Sequence, residues 1–269
     1  MNRRRFLQTI AAGSIGTATG GAAYGYLYGR KTLQVTRMAV PVAGLGPGLV
    51  GLRIGFITDV HRSRWVSSDD VAHAVGALMA DKPDLIVLGG DYVTRGDRQF
   101  VGPSAEVLGA LSAPHGVFGI LGNHDDDHDM PAALAARGVQ MLKDARTRLI
   151  VNASPLELVG IRFWTRRAEG VATAMRGAQG TIVLLAHDPR RLAAAQALNI
   201  PLVLSGHTHG GQVVLPIVGA LAATDFPVVS GLERRGNTTI FVSRGVGTIY
   251  VPVRINCPPE VAVLTLQAA

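Results

Sequence analysis

The chain has 269 residues, 48% of them hydrophobic, which is enough for one large domain with a sizeable core. Its single cysteine, Cys257, excludes an intrachain disulfide. The net charge of +7 does not indicate a nucleic-acid partner: five positive residues lie within the first 31 residues, which hold no acid, and the remainder carries only +2. Aromatic residues, at 5%, are also few for stacking bases, so we expect no nucleic-acid partner.

The N-terminal segment, residues 1–32, combines a basic start with a long uncharged run. It resembles a twin-arginine export signal, with the residues in order being Arg3, Arg4, Arg5, Phe6, Leu7 and Gln8. The resemblance implies the Tat export machinery as a partner and a location in the periplasm or at the outer face of the cytoplasmic membrane. Residues 6–29 are long enough to span a bilayer of about 30 Å. A cleaved signal, a retained anchor that associates with the membrane, and a basic frayed terminus are the alternatives.

One domain is predicted for residues 33–269, because no linker, repeat or change of composition interrupts them. GLRIGFITDVH, residues 51–61, indicates a buried strand, and Ser67 or Ser68 is suited to cap a following helix. DLIVLGGD, residues 84–91, is the next strand and completes a βαβ unit. A helix near Ser104–Leu111 and the strand GVFGILGNHD, residues 116–125, predict a second unit.

The second half of the chain continues this alternation. LIVNAS and LELVGI predict strands in the middle section, TIVLLAHD a further strand, and PRRLAAAQAL a helix that Pro189 opens. PLVLSGHTH is another strand, and TTIFVSRG and EVAVLTLQ are strands near the C-terminus. Parallel βαβ units with added antiparallel strands predict a layered α/β domain with two packed sheets.

The segment LVLSGHTHGG, residues 202–211, places two histidines two residues apart on a glycine-rich turn after a strand. In extended backbone, residues i and i+2 point to the same side, so we expect His207 and His209 to face one point. The flanking glycines permit positive φ and a close approach of the backbone to a ligand.

Metal-ligating residue types follow five predicted strands, at their carboxyl ends. These are Asp59 and His61, Asp91, Asn123 with His124, His187, and His207 with His209. Ligands of α/β proteins bind at the carboxyl ends of the strands. The pattern therefore indicates one shared site.

The motif set D-x-H, GD, GNHD, a later His and GHTH resembles the calcineurin-like metallophosphoesterases. The segments VSRGVGT, VPVR and CPPEVAVL are similar to the twin-arginine-exported, YkuE-like branch of that family. The resemblance extends over nearly all of the chain after the signal. It implies a four-layer αββα sandwich of two packed mixed sheets around two metal ions.

The resemblance also implies the ligands. Asp59, His61, Asp91 and His209 would hold the first ion, and Asp91, Asn123, His187 and His207 the second, with Asp91 as a catalytic bridge. The mixture of imidazole and oxygen donors favours two divalent transition-metal ions, namely Mn, Fe or Zn. With only two carboxylates, such a site keeps positive charge and attracts phosphate, and a metal-bridging hydroxide would attack phosphorus in line with the leaving oxygen.

Two further residues have expected roles toward the substrate. His124 is assigned to protonating the leaving oxygen or stabilising its charge. Related phosphatases carry an acid three residues after the GD aspartate, and this acid orients the histidine. This chain has Thr94 at that position. Either Asp125 or another acid therefore orients His124, or His124 acts as a neutral hydrogen-bond donor. Arg95 matches a phosphate-clamping arginine, and a solvated loop arginine is the alternative.

We therefore expect a binuclear phosphoesterase that hydrolyses phosphomonoesters or phosphodiesters. An alternative is an envelope hydrolase of lipid-linked pyrophosphates, of the UDP-2,3-diacylglucosamine type, with residues 213–222 as an apolar substrate path. A non-catalytic exported metal-binding protein is the alternative from a different class.

Overall fold

The computed structural model describes residues 19–269, so the twin-arginine motif at residues 3–8 lies outside the described part of the chain. Residues 19–24 are helical and continue into a π-helical turn, Gly25–Gly29. Among the described residues, no helix has both the length and the apolar character needed to cross a membrane.

A first six-stranded sheet contains the strands β1 Gln34–Val42, β2 Arg53–Ile57, β3 Leu85–Leu88, β4 Val117–Gly119, β5 Gln140–Met141 and β14 Glu260–Ala268. Their spatial order is β1, β14, β2, β3, β4, β5. β2 to β5 are parallel to one another, whereas β14 is antiparallel to β2 and parallel to β1. The sheet is therefore mixed, and its centre consists of parallel βαβ units.

A second six-stranded sheet contains the strands β6 Ala145–Val151, β7 Ser154–Gly160, β8 Thr181–Leu185, β9 Leu202–Ser205, β12 Gly231–Arg235 and β13 Thr238–Val242. Their spatial order is β12, β13, β9, β8, β7, β6. β7, β8, β9 and β13 are parallel, and the edge strands β6 and β12 are antiparallel to their neighbours. The short strands β10 Val214–Leu215 and β11 Gly219–Ala220 form a separate antiparallel hairpin.

Helices cover the outer face of each sheet. The helices α1 Ser68–Ala80, α2 Val101–Leu108 and α3 Asp129–Ala135 pack on the first sheet, and α4 Ala168–Ala174 and α5 Leu192–Ala197 pack on the second. A third cluster of buried apolar side chains lies between the sheets, where the rings of Phe56 and Phe241 meet 6.2 Å apart. This arrangement confirms the four-layer αββα sandwich of two mixed sheets.

Local sequence signals explain several element boundaries. Ser67 caps α1 by accepting a hydrogen bond from the Asp70 N–H, while the Asp70 carboxylate accepts one from the Ser67 N–H. Pro189 opens a 3₁₀ turn that leads into α5. The predicted helix near Ser104 begins three residues earlier than expected, at Val101.

The two sheets bring their parallel strands to one edge of the molecule. β2, β3 and β4 end there from the first sheet, and β8, β9 and β13 end there from the second. Residues that are up to about 150 positions apart in the sequence can therefore meet. The loops after these strands carry the predicted site residues.

Candidate metal centre

The first cluster of candidate ligands consists of Asp59, His61 and His209, all buried. The Nε2 atoms of His61 and His209 lie 3.1 Å apart, and His209 Nε2 lies 3.4 Å from Asp59 Oδ1. Within this group every pair of ligand atoms is closer than 4.8 Å. The loop after β2 thus meets the loop after β9, and their donor atoms converge on one point.

The second cluster consists of Asp91, His187 and His207, again with ligand atoms within 4.8 Å of one another. Asp91 Oδ2 lies 3.1 Å from His187 Nε2 and 3.4 Å from His61 Nε2, which belongs to the first cluster. The other oxygen of this carboxylate, Oδ1, accepts a hydrogen bond from the His124 N–H. Asp91 Oδ2 therefore lies between the two clusters, where a ligand shared by two cations must lie.

Two buried polar atoms at the centre have no suitable protein partner. Within residues 19–269, neither Asn123 Oδ1 nor His187 Nε2 has a hydrogen bond of acceptable geometry. His187 Nδ1 lies 2.8 Å from the carbonyl of Gly89, so the neutral ring carries its proton there and presents a lone pair at Nε2. That lone pair faces a carboxylate oxygen 3.1 Å away. A cation between them satisfies both atoms, so the donor set fits the expected metals.

The pKa shifts of the buried histidines also indicate a cation-binding site. Burial lowers the pKa of His187, but Asp91 and Asp59 raise it more strongly, to about 10, so without a cation Nε2 also holds a proton, and a bound cation would take the place of that proton. Burial, with the neighbouring His61 and Arg254, lowers the pKa of His209 well below its usual value. The carboxylates thus create a negative potential that attracts cations, while His209 stays neutral and keeps its lone pair.

The backbone at the ligands is unusual. The φ angles of five candidate ligands lie between +47° and +73°, and these residues are Asp59, His61, Asp91, His207 and His209. Such left-handed conformations are uncommon outside glycine and concentrate at functional sites. Folding therefore places these residues in a costly conformation at the position where their side chains converge.

The expected strand-like alternation of His207 and His209 is wrong. β9 ends at Ser205, and Thr208 to Gly211 form a tight turn in which His209 has a φ of 51°. Both rings still reach the centre, but they enter different clusters. A left-handed turn, not an extended backbone, aims the two imidazoles.

Glycines allow the ligand loops to pack closely. A Cβ atom at Gly206 would lie 2.1 Å from Asp59 Oδ2, and one at Gly122 would lie 2.0 Å from Asp91 Oδ1. At Gly245, which also has a positive φ of 68°, a Cβ would lie 2.5 Å from the Cβ of Asp59. The expected close approach of glycine backbone to the centre is therefore present.

His124 lines the cavity beside the two clusters, and its ring lies 5.0 Å from that of His61. Its Nδ1 accepts a hydrogen bond of 2.9 Å from the backbone N–H of Arg95. Burial lowers the pKa of His124. The neutral ring consequently carries its proton on Nε2.

The acid next to His124 in sequence has another partner. The Asp125 carboxylate accepts hydrogen bonds from the backbone N–H groups of Asp91, Tyr92 and Gly122, at 2.7 to 2.9 Å. It therefore holds the loops after β3 and β4 together. Of the alternatives left by the sequence, this geometry favours His124 as a neutral donor.

The residues after Asp91 have separate contacts. Thr94 Oγ1 lies 3.2 Å from His61 Nδ1 and so orients a candidate ligand. The Arg95 side chain is exposed and lies in an adjacent cavity, with its guanidinium carbon 6.0 Å from the centre of the Tyr250 ring. The structure does not bring this guanidinium into the cavity that contains Asp91 and His207.

Arg254 was not anticipated as part of the site. Its guanidinium is fully buried and donates to the carbonyls of Arg244, Gly245, Gly247 and Cys257. One of its nitrogens lies 3.5 Å from His209 Nδ1. The sequence feature that could have indicated this role is the single charged residue in the otherwise uncharged segment 245–259.

Two phenylalanines at the site were also not predicted from the sequence. The rings of Phe163 and Phe226 each lie 5.3 Å from the ring of His207, on the loops that follow β7 and precede β12. Single aromatic residues in loops carry no pattern that separates packing from site formation. In the structure both rings pack against this imidazole.

One cavity contains candidate ligands, and a second cavity lies beside the first. The first, of about 380 Å³, contains Asp91, Asn123 and His207 and has an apolar mouth that includes Leu221 and Tyr250. The second, of about 570 Å³, is bordered by Trp65, Arg64, Arg95 and Phe100. Residues 249–251 line both cavities and separate them.

Sequence comparison agrees with this site. Residues 52–211 match the calcineurin-like phosphoesterase family, and the chain belongs to it. This span includes all of the candidate ligands. The chain is therefore a metal-dependent phosphoester hydrolase, and a non-catalytic metal-binding protein is not supported.

Relatives of the whole chain are known. It is 32% identical to phosphodiesterase YaeI of Escherichia coli, and the match covers 99% of both chains. It is 30% identical to the uncharacterized metallophosphoesterase YkuE of Bacillus subtilis, and this match covers 100% of this chain and 98% of the other. Among solved structures, an archaeal phosphodiesterase aligns with a TM-score of 0.42 at 11% identity, covering 74% of this chain and 87% of that chain.

Proposed function

We propose that this enzyme hydrolyses phosphodiesters at a centre of two divalent transition-metal ions, Mn, Fe or Zn. The position of Asp91 Oδ2, within 3.4 Å of a candidate ligand atom from each cluster, is the observation that carries the proposal. The similarity to phosphodiesterase YaeI supports a diester over a monoester. The second cavity, which shares residues 249–251 with the cavity that contains Asp91, supports it as well, because it offers space for the second alcohol of a diester.

In this proposal, Asp59, His61 and His209 hold the first ion, Asn123, His187 and His207 the second, and Asp91 both. Bound ions would supply positive charge to the phosphate and activate water for attack. Four imidazoles and an amide contribute no charge, so only the carboxylates of Asp59 and Asp91 offset the cations. The protein therefore leaves a net positive site for an anionic substrate.

We assign His124 to hydrogen bonding with a phosphoryl or leaving oxygen. The Arg95 N–H occupies its Nδ1, so the ring offers a proton from Nε2 while it is neutral. A neutral imidazole is a weak acid, and this donor stabilises developing charge instead of transferring its proton. Arg95 remains a candidate phosphate ligand only for a substrate group that extends into the second cavity.

Paired chromogenic esters test the activity. The purified enzyme is expected to hydrolyse bis(p-nitrophenyl) phosphate faster than p-nitrophenyl phosphate, to lose both activities with a chelator, and to regain them with Mn²⁺ or Zn²⁺. A matched control is His73→Ala, which removes an exposed histidine of α1 and is expected to leave both rates unchanged. Faster turnover of the monoester would contradict the diester assignment.

A lipid-linked pyrophosphate is a second candidate substrate, because the mouth of the first cavity is apolar on the side of Val213 and Leu221. Comparing bis(p-nitrophenyl) phosphate with a UDP-linked diacylglucosamine separates the two. A higher kcat/KM for the glycolipid would support the second candidate. An inert glycolipid would exclude it.

We also propose export by the Tat route to the periplasm or the outer face of the cytoplasmic membrane, on the basis of Arg3, Arg4, Phe6 and Leu7. An Arg3→Lys/Arg4→Lys variant is expected to stay in the cytoplasm. Cell fractionation with the esterase assay measures this. Equal export of both forms would contradict the proposal.

A further inference from the structure

Exposed apolar side chains concentrate around the opening of the active site. Among residues 19–269, fourteen large apolar side chains are exposed, and eleven of them belong to residues 24–28, Trp65, residues 215–221 and residues 250–251. We call these four segments the apolar rim. Single exposed apolar residues are ordinary, but a concentration of this kind marks an interaction surface.

The N-terminal part of the rim is fixed to the rest by specific contacts. The ring of Tyr26 meets the edge of the Trp65 ring at 6.4 Å, and Arg30 donates a hydrogen bond of 2.6 Å to the Trp65 carbonyl. The carbonyl of Gly25 accepts a hydrogen bond from the Arg254 N–H. Residues 24–28 therefore pack beside the loop that borders the metal centre.

The rim segments 215–221 and 250–251 are joined by hydrogen bonds between residues 212–214 and residues 251–255. The Val214 N–H donates to the Ile255 carbonyl at 2.9 Å, and the Gln212 side chain donates to the Val251 carbonyl at 2.9 Å. Leu221 and Tyr250 line the cavity that contains Asp91. The rim is thus continuous with the mouth of the catalytic cavity.

The most protruding residues lie at the tip of the β10–β11 hairpin. Ile217 is fully exposed and Val218 is 69% exposed, and Tyr250, which lines both cavities, is 79% exposed. Of the three exposed apolar residues outside the rim, Val50 and Ile150 lie near the amino ends of the parallel strands. The third, Trp164, has its ring 4.9 Å from that of Phe163, which in turn contacts His207.

The charges around the rim are complementary to an anionic surface. Residues 213–223 contain no charged side chain. Three arginines border the rim, each placed near a rim aromatic ring: Arg30 with Tyr26 at 4.5 Å, Arg64 with Trp65 at 4.8 Å, and Arg95 with Tyr250 at 6.0 Å. None of the three forms an ion pair within the described part of the chain. Apolar tips with aromatic rings and arginines at their border are typical of proteins that lie in a membrane interface.

The preceding sequence leads into the same surface. Residues 6–29 contain no charged side chain, and Arg3, Arg4 and Arg5 precede them. The described chain reaches the rim at residues 24–28, so this uncharged segment is directly continuous with it. The sequence next to the rim thus has the composition expected beside a bilayer.

We propose that the apolar rim docks onto the surface of an anionic phospholipid bilayer, so that the catalytic cavity opens at the level of the lipid headgroups. The hairpin tip and Tyr250 enter the interface, and Arg30, Arg64 and Arg95 contact lipid phosphates. This proposal concerns the orientation of the enzyme and does not depend on which phosphoester it hydrolyses.

Tryptophan fluorescence locates the contact on the full-length protein. The chain has two tryptophans, so Trp164→Phe leaves Trp65 in the rim as a single probe. With vesicles of phosphatidylcholine and phosphatidylglycerol that carry brominated acyl chains, Trp65 emission is expected to shift to the blue and to be quenched. A matched control, Trp65→Phe/Trp164→Phe/Ile150→Trp, places the single probe at the opposite end and is expected to stay unquenched.

Charge substitutions test the role of the hairpin tip. Ile217→Asp/Val218→Asp is expected to weaken binding to the anionic vesicles at least 5-fold in sedimentation, and Val50→Asp/Ile150→Asp, which adds the same charge elsewhere, is expected to leave it unchanged. Residues 217 and 218 do not line the catalytic cavity, so hydrolysis of bis(p-nitrophenyl) phosphate should persist and report an intact fold.

Three outcomes would overturn the proposal. Vesicle binding without quenching of Trp65 would show that the N-terminal segment alone attaches the protein. Self-association in ultracentrifugation that the hairpin substitutions abolish would assign the rim to a second copy of the chain. Binding that is equal for vesicles with and without phosphatidylglycerol would remove the role of the arginines. Loss of ester hydrolysis in the wild type would instead contradict the proposed function and leave the docking test intact.

Discussion

Two buried acidic sites of this protein differ in how their charge is balanced. Glu157 in β7 is fully buried and accepts hydrogen bonds from Arg146 Nη1 at 2.9 Å, Arg148 Nε at 2.6 Å and the Gln179 N–H at 3.2 Å. Asp91 is equally buried, but the side chains around it are imidazoles. The protein itself neutralises Glu157, whereas it leaves the charge at Asp91 to be balanced by cations.

This comparison distinguishes a structural buried carboxylate from a metal-binding one. A guanidinium brings both the charge and the donors that a carboxylate needs. An imidazole that carries its proton on the far nitrogen offers another lone pair instead, as His187 does. Burial alone does not identify a metal centre, but burial with facing lone pairs does.

The largest expected effect is that of Asp91→Asn. The substitution removes the charge shared by the two clusters, so we expect metal content to fall from two ions toward one or none and kcat/KM to fall by at least ~10³-fold. Metal analysis and the bis(p-nitrophenyl) phosphate assay measure these changes. A variant that keeps two ions and full activity would remove Asp91 from the centre.

His124→Ala is expected to have the next largest effect. It removes a neutral hydrogen-bond donor, so turnover should fall by about 10²-fold while two ions stay bound. His124→Asn, which keeps an N–H donor, should recover part of the rate. A loss of bound metal in the alanine variant would instead place His124 among the ligands.

Thr94→Val should have a smaller effect. It removes the hydrogen bond to His61 Nδ1 and leaves the size of the side chain unchanged, so the affinity for the first ion should fall about 10-fold. Titration of the apoprotein with Zn²⁺ measures this, and activity should recover at high zinc. An affinity identical to that of the wild type would show that Thr94 does not orient His61.

Glu157→Gln provides the matched comparison and should have no effect on activity. Arg146 and Arg148 lose a charged acceptor but remain partly exposed, so we expect the free energy of unfolding to fall by about 1–3 kcal/mol. Thermal unfolding should detect the loss. Metal content and kcat/KM should equal the wild-type values. A change in either quantity would contradict the assignment of Glu157 to a purely structural role.

The residue types at the strand ends were predictable from the sequence. Asp59, Asp91 and His187 each follow an apolar run, and parallel strands bring such positions to one edge. The alternation of strands and helices likewise predicted the layered fold. Both are regular patterns in which sequence position determines spatial position.

The details of contact were not predictable. The aim of His207 and His209 depends on left-handed backbone angles, which no side-chain pattern encodes. The partner of Asp125 proved to be three backbone N–H groups, and backbone groups are the same for every sequence. β1 was missed because its pattern is half exposed and its pairing partner, β14, is more than two hundred residues away.

The pairing of β1 with β14 has a consequence for biosynthesis. β14 lies between β1 and β2, so residues 260–268 must leave the ribosome before β1 and β2 can form their hydrogen-bond ladders with it. Until then the nascent polypeptide exposes two strand edges, and a product truncated before Glu260 would keep them. The strand that is synthesised last among β1 to β14 therefore completes the first sheet.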